Sequence, residues 1–185
     1  MSKSVGVIGY PLGHSISPLF QQAAFDHLGL DVRYEVWETE PGGLRAVVAE
    51  MRQPSKLGAN VTVPYKEAVM PLLDELDELA REIGAVNTIV NQGGKLIGYN
   101  TDAEGFLKAL RCEGGFEPEG KRSVLLGAGG AARAASFALV RAGVSSLVIA
   151  NRTYERAQAL ASELRLFGLE IAALPWGGER LEEAL

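Results

Sequence analysis

The stretch Gly127-Ala128-Gly129-Gly130-Ala131-Ala132 constrains this chain more than any other. It follows a continuous apolar run, Val124-Leu125-Leu126, of the kind found in parallel strands buried on both faces. It opens a helical repeat of Ala131, Ala135, Ala138, Leu139 and Ala142. Its form is G-x-G-x-x-A. The first glycine permits a tight turn, the second lets backbone approach a pyrophosphate, and a small third residue lets helix pack on strand. The N–H groups at the helix start then face the phosphates. A turn that merely packs tightly is the plain alternative. The strand before it and the helix after it favour dinucleotide binding.

The rhythm continues downstream. Leu147 to Ala150 reads as a second buried strand. Thr153 caps a helix with Ala157, Leu160, Ala161 and Leu164 inward and Gly168 at its end. Leu169 to Leu174 is a third strand, and Glu179 to Leu185 begins another helix. This βαβαβ order predicts an α/β, doubly wound unit. A site for NAD places Asp or Glu at the end of the second strand, to bind the ribose hydroxyls. Here that strand ends in Asn151-Arg152-Thr153. No acid is there to repel a phosphate, and Arg152 supplies a fixed charge on a planar fork. The pattern predicts NADP rather than NAD. A solvated arginine and an ordinary N-cap threonine are the structural alternatives.

The first half repeats strand, turn and helix less regularly. Val5 to Gly9 reads as a strand. Ser17 and Pro18 open a helix as N-cap and first residue, with Phe20, Ala23, Ala24, His27 and Leu28 on its apolar stripe. Val32 to Glu38 alternates as a strand, and Pro41 to Gln53 reads as helix. Asn60 to Val63 is a strand stopped by Pro64. Asp74 to Ile83 reads as helix. Ala85 to Val90 and Lys95 to Tyr99 flank a hairpin loop. Thr101 and Glu104 form a capping box for a helix reaching Cys112. Glu113 to Lys121 (EGGFEPEGK) is the best candidate for a boundary, giving domains 1–112 and 121–185 joined by a linker, 113–120.

Polar residues stand out against this frame. Ser15 and Ser17 put two hydroxyls at a helix N-terminus, which suits a carboxylate; capping explains Ser17 equally, whereas Ser15 has no visible structural duty. Asn60 and Thr62 share one face of their strand while Val61 and Val63 face the core, and Lys66 follows. A solvent-facing edge strand is the alternative. Asn87 is a polar residue in an apolar strand and needs a partner. Asp102 lies in the first turn of its helix, where a negative charge is favourable in any case.

Composition removes several classes. The 185 residues are 47% hydrophobic, enough for a sizeable core, and carry a formal net charge of −5. Such an acidic chain is a poor nucleic-acid or anionic-membrane binder. No apolar run approaches the ~18 residues of a membrane helix, and Met1 to Gly9 shows no signal-peptide pattern. The one cysteine, Cys112, forms no internal disulfide, no Cys/His cluster has metal-ligand spacing, and a cytoplasmic setting fits.

Six strings in order resemble the shikimate dehydrogenase family. They are Gly9-Tyr10-Pro11 with His14-Ser15-Ile16-Ser17-Pro18, Asn60 to Lys66 (NVTVPYK), Gly84 to Thr88 (GAVNT), Asn100-Thr101-Asp102, Gly127 to Ala131 (GAGGA), and Asn151-Arg152-Thr153. The resemblance implies a three-layer α/β substrate domain followed by a Rossmann-like NADP-binding domain. It implies NADPH-dependent reduction of 3-dehydroshikimate to shikimate, in aromatic amino-acid biosynthesis. Ser15 and Ser17 would bind the substrate carboxylate. Asn60, Thr62, Asn87 and Asp102 would bind ring hydroxyls. Lys66, paired with Asp102, would be the acid–base residue. Asn151, Arg152, Thr153 and Arg156 would border the adenosine phosphate. Glu78 matches an acid near the cofactor, although a solvated helix face explains it equally well. The implied partner is a small molecule, with a homodimer as a candidate assembly.

Two departures stand out. After Ser17-Pro18 the family commonly carries His-Asn, where this chain has Gln21-Gln22 after Leu19-Phe20. The nucleotide domain also reaches only three strands of a fold that usually has six. The first of them would be a bare apolar edge, so the chain reads as a fragment or as completed by another polypeptide. A shikimate/quinate dehydrogenase of broader specificity and a truncated, non-catalytic substrate-binding chain are the competing readings.

Overall fold

A computed structural model describes residues 3–184. Met1, Ser2 and Leu185, the last of which ends the expected final helix, lie outside the described residues. The chain forms two compact units, Met1–Asn100 and Thr101–Leu185.

The first unit is built on a six-stranded sheet of order β2-β1-β3-β5-β6-β4. The strands are β1 (Lys3–Gly9), β2 (Val32–Glu38), β3 (Lys56–Val61), β4 (Glu75–Leu76), β5 (Thr88–Gln92) and β6 (Lys95–Tyr99). β2, β1 and β3 run parallel, and β5 pairs antiparallel with both β3 and β6. Helix α1 (Ser17–His27) covers one face; α2 (Leu44–Glu50) and α3 (Glu78–Ile83) cover the other. The alternation of β1 explains the two cores. Val7 turns toward α1 with Leu12, Tyr34 and Phe25, while Ile8 turns toward α2 and α3 with Val48, Met51, Val61, Val86 and Leu96. One side chain ties the far ends together. Asn91 donates to the carbonyls of Met51, Gln53 and Lys56 and accepts from Gly94 N–H at 2.7 Å.

Several expected elements shift for identifiable reasons. Residues 74–83 do not form one helix, because Glu75–Leu76 pairs with β6 and Asp77 then caps α3, accepting from Leu79 N–H at 3.1 Å. Helix α2 starts only at Leu44, after the Pro41-Gly42-Gly43 turn. Val63 lies beyond the end of β3 and is 66% exposed rather than core. The α1 stripe is also corrected. Phe20, Ala23, Ala24, His27 and Leu28 are all exposed, and α1 docks instead through Phe25 and Gln22.

Gln22 meets β2, an outer strand of the sheet. Its Oε1 accepts from Tyr34 N–H at 2.8 Å and its Nε2 donates to Val32 O at 3.2 Å. It thus occupies two of the peptide groups that an edge strand would otherwise leave open.

The second unit has a parallel sheet of order β7-β8-β9, from β7 (Arg122–Leu126), β8 (Ser146–Asn151) and β9 (Glu170–Pro175). Helices α5 (Gly130–Arg141) and α6 (Tyr154–Leu164) connect them. Phe137, Leu139, Leu160 and Leu164 of these helices are buried, as are Leu147 and Ile149 of β8. On the opposite face Leu181 of α7 (Glu179–Glu182) packs on Ala150 and Leu174. β7 is an outer strand, and Leu126 is 51% exposed, so β7 is not buried on both faces as its composition suggested. Helix α4 (Asp102–Cys112) packs on α5 and groups with this unit, whereas the expected division fell after it, at 113–120. Thr101 holds the N-cap position of α4, but its side chain makes no capping bond, so the expected capping box is not formed. No helix among the described residues is long and apolar enough to cross a membrane.

Candidate substrate and dinucleotide sites

In the first unit the site residues leave from the carboxyl ends of β1, β2 and β3. This is the end where parallel α/β sheets bind ligands. The loop after β1 is held by Glu38, whose Oε1 accepts from Leu12 N–H at 2.7 Å. Ser15 then closes a turn, with its N–H donating to Leu12 O at 2.8 Å, and its Oγ accepts from Ser17 N–H at 3.4 Å. Ser15 therefore has a structural duty after all. Ser17 is the first residue of α1 rather than its cap, since Ile16 takes the N-cap position. Its hydroxyl is thereby released from capping and lies near enough to the Tyr34 phenol to pull its pKa down.

Asn60, in β3, lies opposite Val7 in register and shares the α1 face with Tyr34. The Tyr34 hydroxyl donates to Asn60 Oδ1 at 2.8 Å. Burial pushes the Tyr34 phenol up to about 12, against the downward pull of the Ser17 hydrogen bond. Sequence reasoning missed Tyr34. The available signal was a tyrosine at an inward position of an alternating strand, since a buried phenol needs a partner for its hydroxyl.

Thr62 follows β3, its N–H donating to Ile8 O at 2.8 Å. Gly9 makes this approach feasible, because a Cβ there would stand 2.5 Å from the Thr62 methyl. Lys66 is half-buried, in the loop fixed by Tyr65, whose hydroxyl donates to Thr39 O at 2.6 Å. The Lys66 carbonyl accepts from Val86 N–H at 2.7 Å. Asn87 precedes β5 instead of lying within it. Its carbonyl accepts from Val61 N–H at 2.7 Å, and its Oδ1 accepts from the Thr88 hydroxyl at 3.0 Å. Glu78 is the exposed first residue of α3, where a carboxylate favours the helix N-terminus. A separate pocket of about 530 Å³, between β2 and α2 and walled by Trp37, Glu35 and Met51, holds none of the predicted site residues.

In the second unit the glycine turn joins β7 to α5. Gly127 has φ +129°, a conformation that side-chain-bearing residues rarely adopt, and its N–H donates to Ala150 O at 2.8 Å. Gly129 is the N-cap of α5, with no side-chain cap and nothing within 4 Å of where a Cβ would stand. The open space beside uncapped N–H groups at Gly129, Gly130 and Ala131 fits a dinucleotide phosphate, whereas Ala128 is buried under the turn. Asp102, the first residue of α4, lines a pocket of about 400 Å³ with Phe106, Leu126, Ala131 and Ala132. Asp102 and the glycine turn thus share one pocket, whereas Lys66 belongs to the first unit. At the end of β8, Asn151 donates to Thr153 O at 2.8 Å, turning the chain into α6. Arg152, Thr153 and Arg156 are exposed around that turn, and Thr153 makes no side-chain cap. Among the described residues no three His, Cys, Asp or Glu side chains group as metal ligands.

Fold and site define a protein in which a mixed-sheet α/β unit precedes a Rossmann-type dinucleotide unit. The family model for the shikimate dehydrogenase substrate binding domain matches residues 7–89, and that for shikimate / quinate 5-dehydrogenase matches residues 112–184. The chain is 54% identical to shikimate dehydrogenase (NADP(+)) of Moorella thermoacetica over 89% of its own length and 56% of the relative's. It is 50% identical to that of Methanopyrus kandleri over 98% and 63%. A crystal structure of shikimate 5-dehydrogenase from Thermus thermophilus, in complex with NADP(H) and shikimate, superimposes with TM-score 0.81 at 44% identity, covering 92% of this chain and 62% of that one. The chain belongs to the shikimate dehydrogenase family and spans about three fifths of the length of these relatives.

Proposed function

We propose that this chain carries the substrate site and the first half of the cofactor site of an NADP-dependent oxidoreductase that reduces 3-dehydroshikimate to shikimate. The observation that carries the reading is the Tyr34 hydroxyl donating to Asn60 Oδ1 at 2.8 Å, with the Ser17 hydroxyl near enough to pull the phenol's pKa down. It sets a candidate carboxylate anchor and a candidate hydroxyl anchor within the span of one small ring. Ser15 and Ser17 take the carboxylate, and Asn60, Thr62, Asn87 and Asp102 take the ring hydroxyls. Gly127, Gly129, Gly130 and Ala131 receive the pyrophosphate. Asn151, Arg152, Thr153 and Arg156 receive the adenosine phosphate.

When bound, the nicotinamide supplies a hydride to the ring ketone carbon. The carbonyl oxygen then gains negative charge and needs a proton. The Lys66 ammonium donates it and is reprotonated from water, and Asp102 orients Lys66 and keeps it charged. The reading includes the cytoplasm as compartment. It includes a homodimer as assembly, for which the exposed Ile16, Leu19 and Phe20 at the start of α1 offer apolar area.

The test is NADP reduction with shikimate at alkaline pH, with Lys66→Ala beside the unaltered chain. The substitution lowers kcat at least about 100-fold and changes KM only a few-fold. A kcat within a few-fold of the unaltered protein would refute the proton-donor role. The family model that names both acids supports a second reading, a dehydrogenase acting on shikimate and quinate, which steady-state rates with each acid separate. Shikimate binding without turnover would instead favour a non-catalytic substrate-binding chain.

A further inference from the structure

Tyr34 has no role in the chemistry above, yet it stands between two of its residues. The ring is packed with Val7, Leu12 and Phe25, its centroid 6.3 Å from that of Phe25. Its backbone N–H is held by Gln22 Oε1 at 2.8 Å. Ring and backbone are thus fixed independently of the hydroxyl. A buried phenol is satisfied by one acceptor, and any carbonyl would serve. Here the hydroxyl donates to a side chain of a different strand, Asn60 in β3, with the Ser17 hydroxyl near enough to pull the phenol's pKa down. Tyr34 Oη donates to Asn60 Oδ1, which identifies the oxygen side of that amide as occupied. The Nδ2 hydrogens are then the part of Asn60 left for a ligand, so Asn60 acts as a donor.

We propose that Tyr34 is a positioning residue of the substrate site, whose hydroxyl sets the orientation of the Asn60 amide so that its Nδ2 presents donors to an oxygen-rich, hydroxylated carboxylic acid. The proposal rests on the reading of Asn60 as a substrate ligand. Without the Tyr34 hydroxyl, the Asn60 amide would have to be ordered when the ligand binds, and immobilising a side chain weakens affinity.

Calorimetric titration of the 185-residue chain with shikimate, without cofactor, tests it. Tyr34→Phe removes one oxygen and keeps the ring. It weakens shikimate binding about tenfold in the unaltered background and less than about threefold in an Asn60→Ala background, because the effect passes through Asn60. A merely structural tyrosine would lower the melting temperature and cost the same in both backgrounds, or cost nothing. Asn60→Asp gives a second measure that spares the tyrosine. It keeps an oxygen for Tyr34 to donate to but replaces the Nδ2 donor, so the chain stays folded and loses shikimate affinity at least about tenfold. Equal affinity in Tyr34→Phe, equal losses in the two backgrounds, or unaltered binding by Asn60→Asp would overturn the proposal. Absence of shikimate binding by the unaltered chain would overturn the functional reading, and the proposal with it.

Discussion

The two glycines of the β7–α5 turn have different work to do, and alanine at each separates stability from binding. Gly127 has φ +129°. A Cβ there would meet only the Ala132 methyl at 3.8 Å, which is ordinary contact. The cost of Gly127→Ala is therefore conformational rather than steric, about 1–3 kcal/mol. For a unit of this size that lowers Tm by roughly 4–8 °C per kcal/mol. Gly129 has φ −97°, which alanine adopts freely, and no neighbour within 4 Å. Gly129→Ala gains about 0.4–1 kcal/mol by restricting the unfolded chain. It loses a similar amount because alanine is a poorer N-cap than glycine. Its Tm stays within a few degrees of the unaltered protein. The added methyl stands where the pyrophosphate must approach, so NADP affinity falls at least about tenfold. Thermal melts by circular dichroism and NADP titration by calorimetry give both readouts on each variant. NADP binding by Gly129→Ala equal to that of the unaltered chain would refute close phosphate approach as the reason for glycine there. An unchanged Tm for Gly127→Ala would refute the strain.

Two further outcomes follow from charges on the surface. Arg152→Ala weakens NADP about 10- to 100-fold and NAD within about threefold, since one charge-assisted contact to the extra phosphate is removed; equal losses in the two titrations would sink the phosphate assignment. Asp74 accepts from the Arg52 guanidinium and from Leu96 N–H at 2.7 Å, and these hold its carboxyl below the usual range, Arg52 first. A depressed folded value means that its stabilisation is present above the unfolded pKa of about 3.9 and is lost as pH falls through the folded one. Asp74→Asn therefore has a shallower acid limb in urea melts run from neutral pH downward. An unchanged limb would show that the pair contributes nothing to folding.

The second unit was the more legible half. Its strands are short apolar runs, its helices carry alanine and leucine at helical spacing, and the glycines mark the turns where backbone geometry demands them. These are local signals. The first unit depends on pairing between distant segments. Glu75–Leu76 reads as helix until β6 comes alongside, and then the ladder decides. The apolar residues of α1 suggested a core face, but one aromatic, Phe25, and one carboxamide, Gln22, dock the helix. The polar residues of the candidate substrate site were legible as types on strand faces. Their connections were not, because Ser17, Tyr34 and Asn60 come from three elements, and alternation in one strand carries no information about the next.

Gln22 of α1 is turned onto the border strand of the first sheet. A carboxamide that answers both Val32 O and Tyr34 N–H works as a selvedge on the sheet, finishing the border so that it neither frays nor accepts another thread. A foreign strand that pairs at Val32 and Tyr34 must first displace this carboxamide. Protection of that border is thus tied to the same helix that begins at the candidate site residue Ser17.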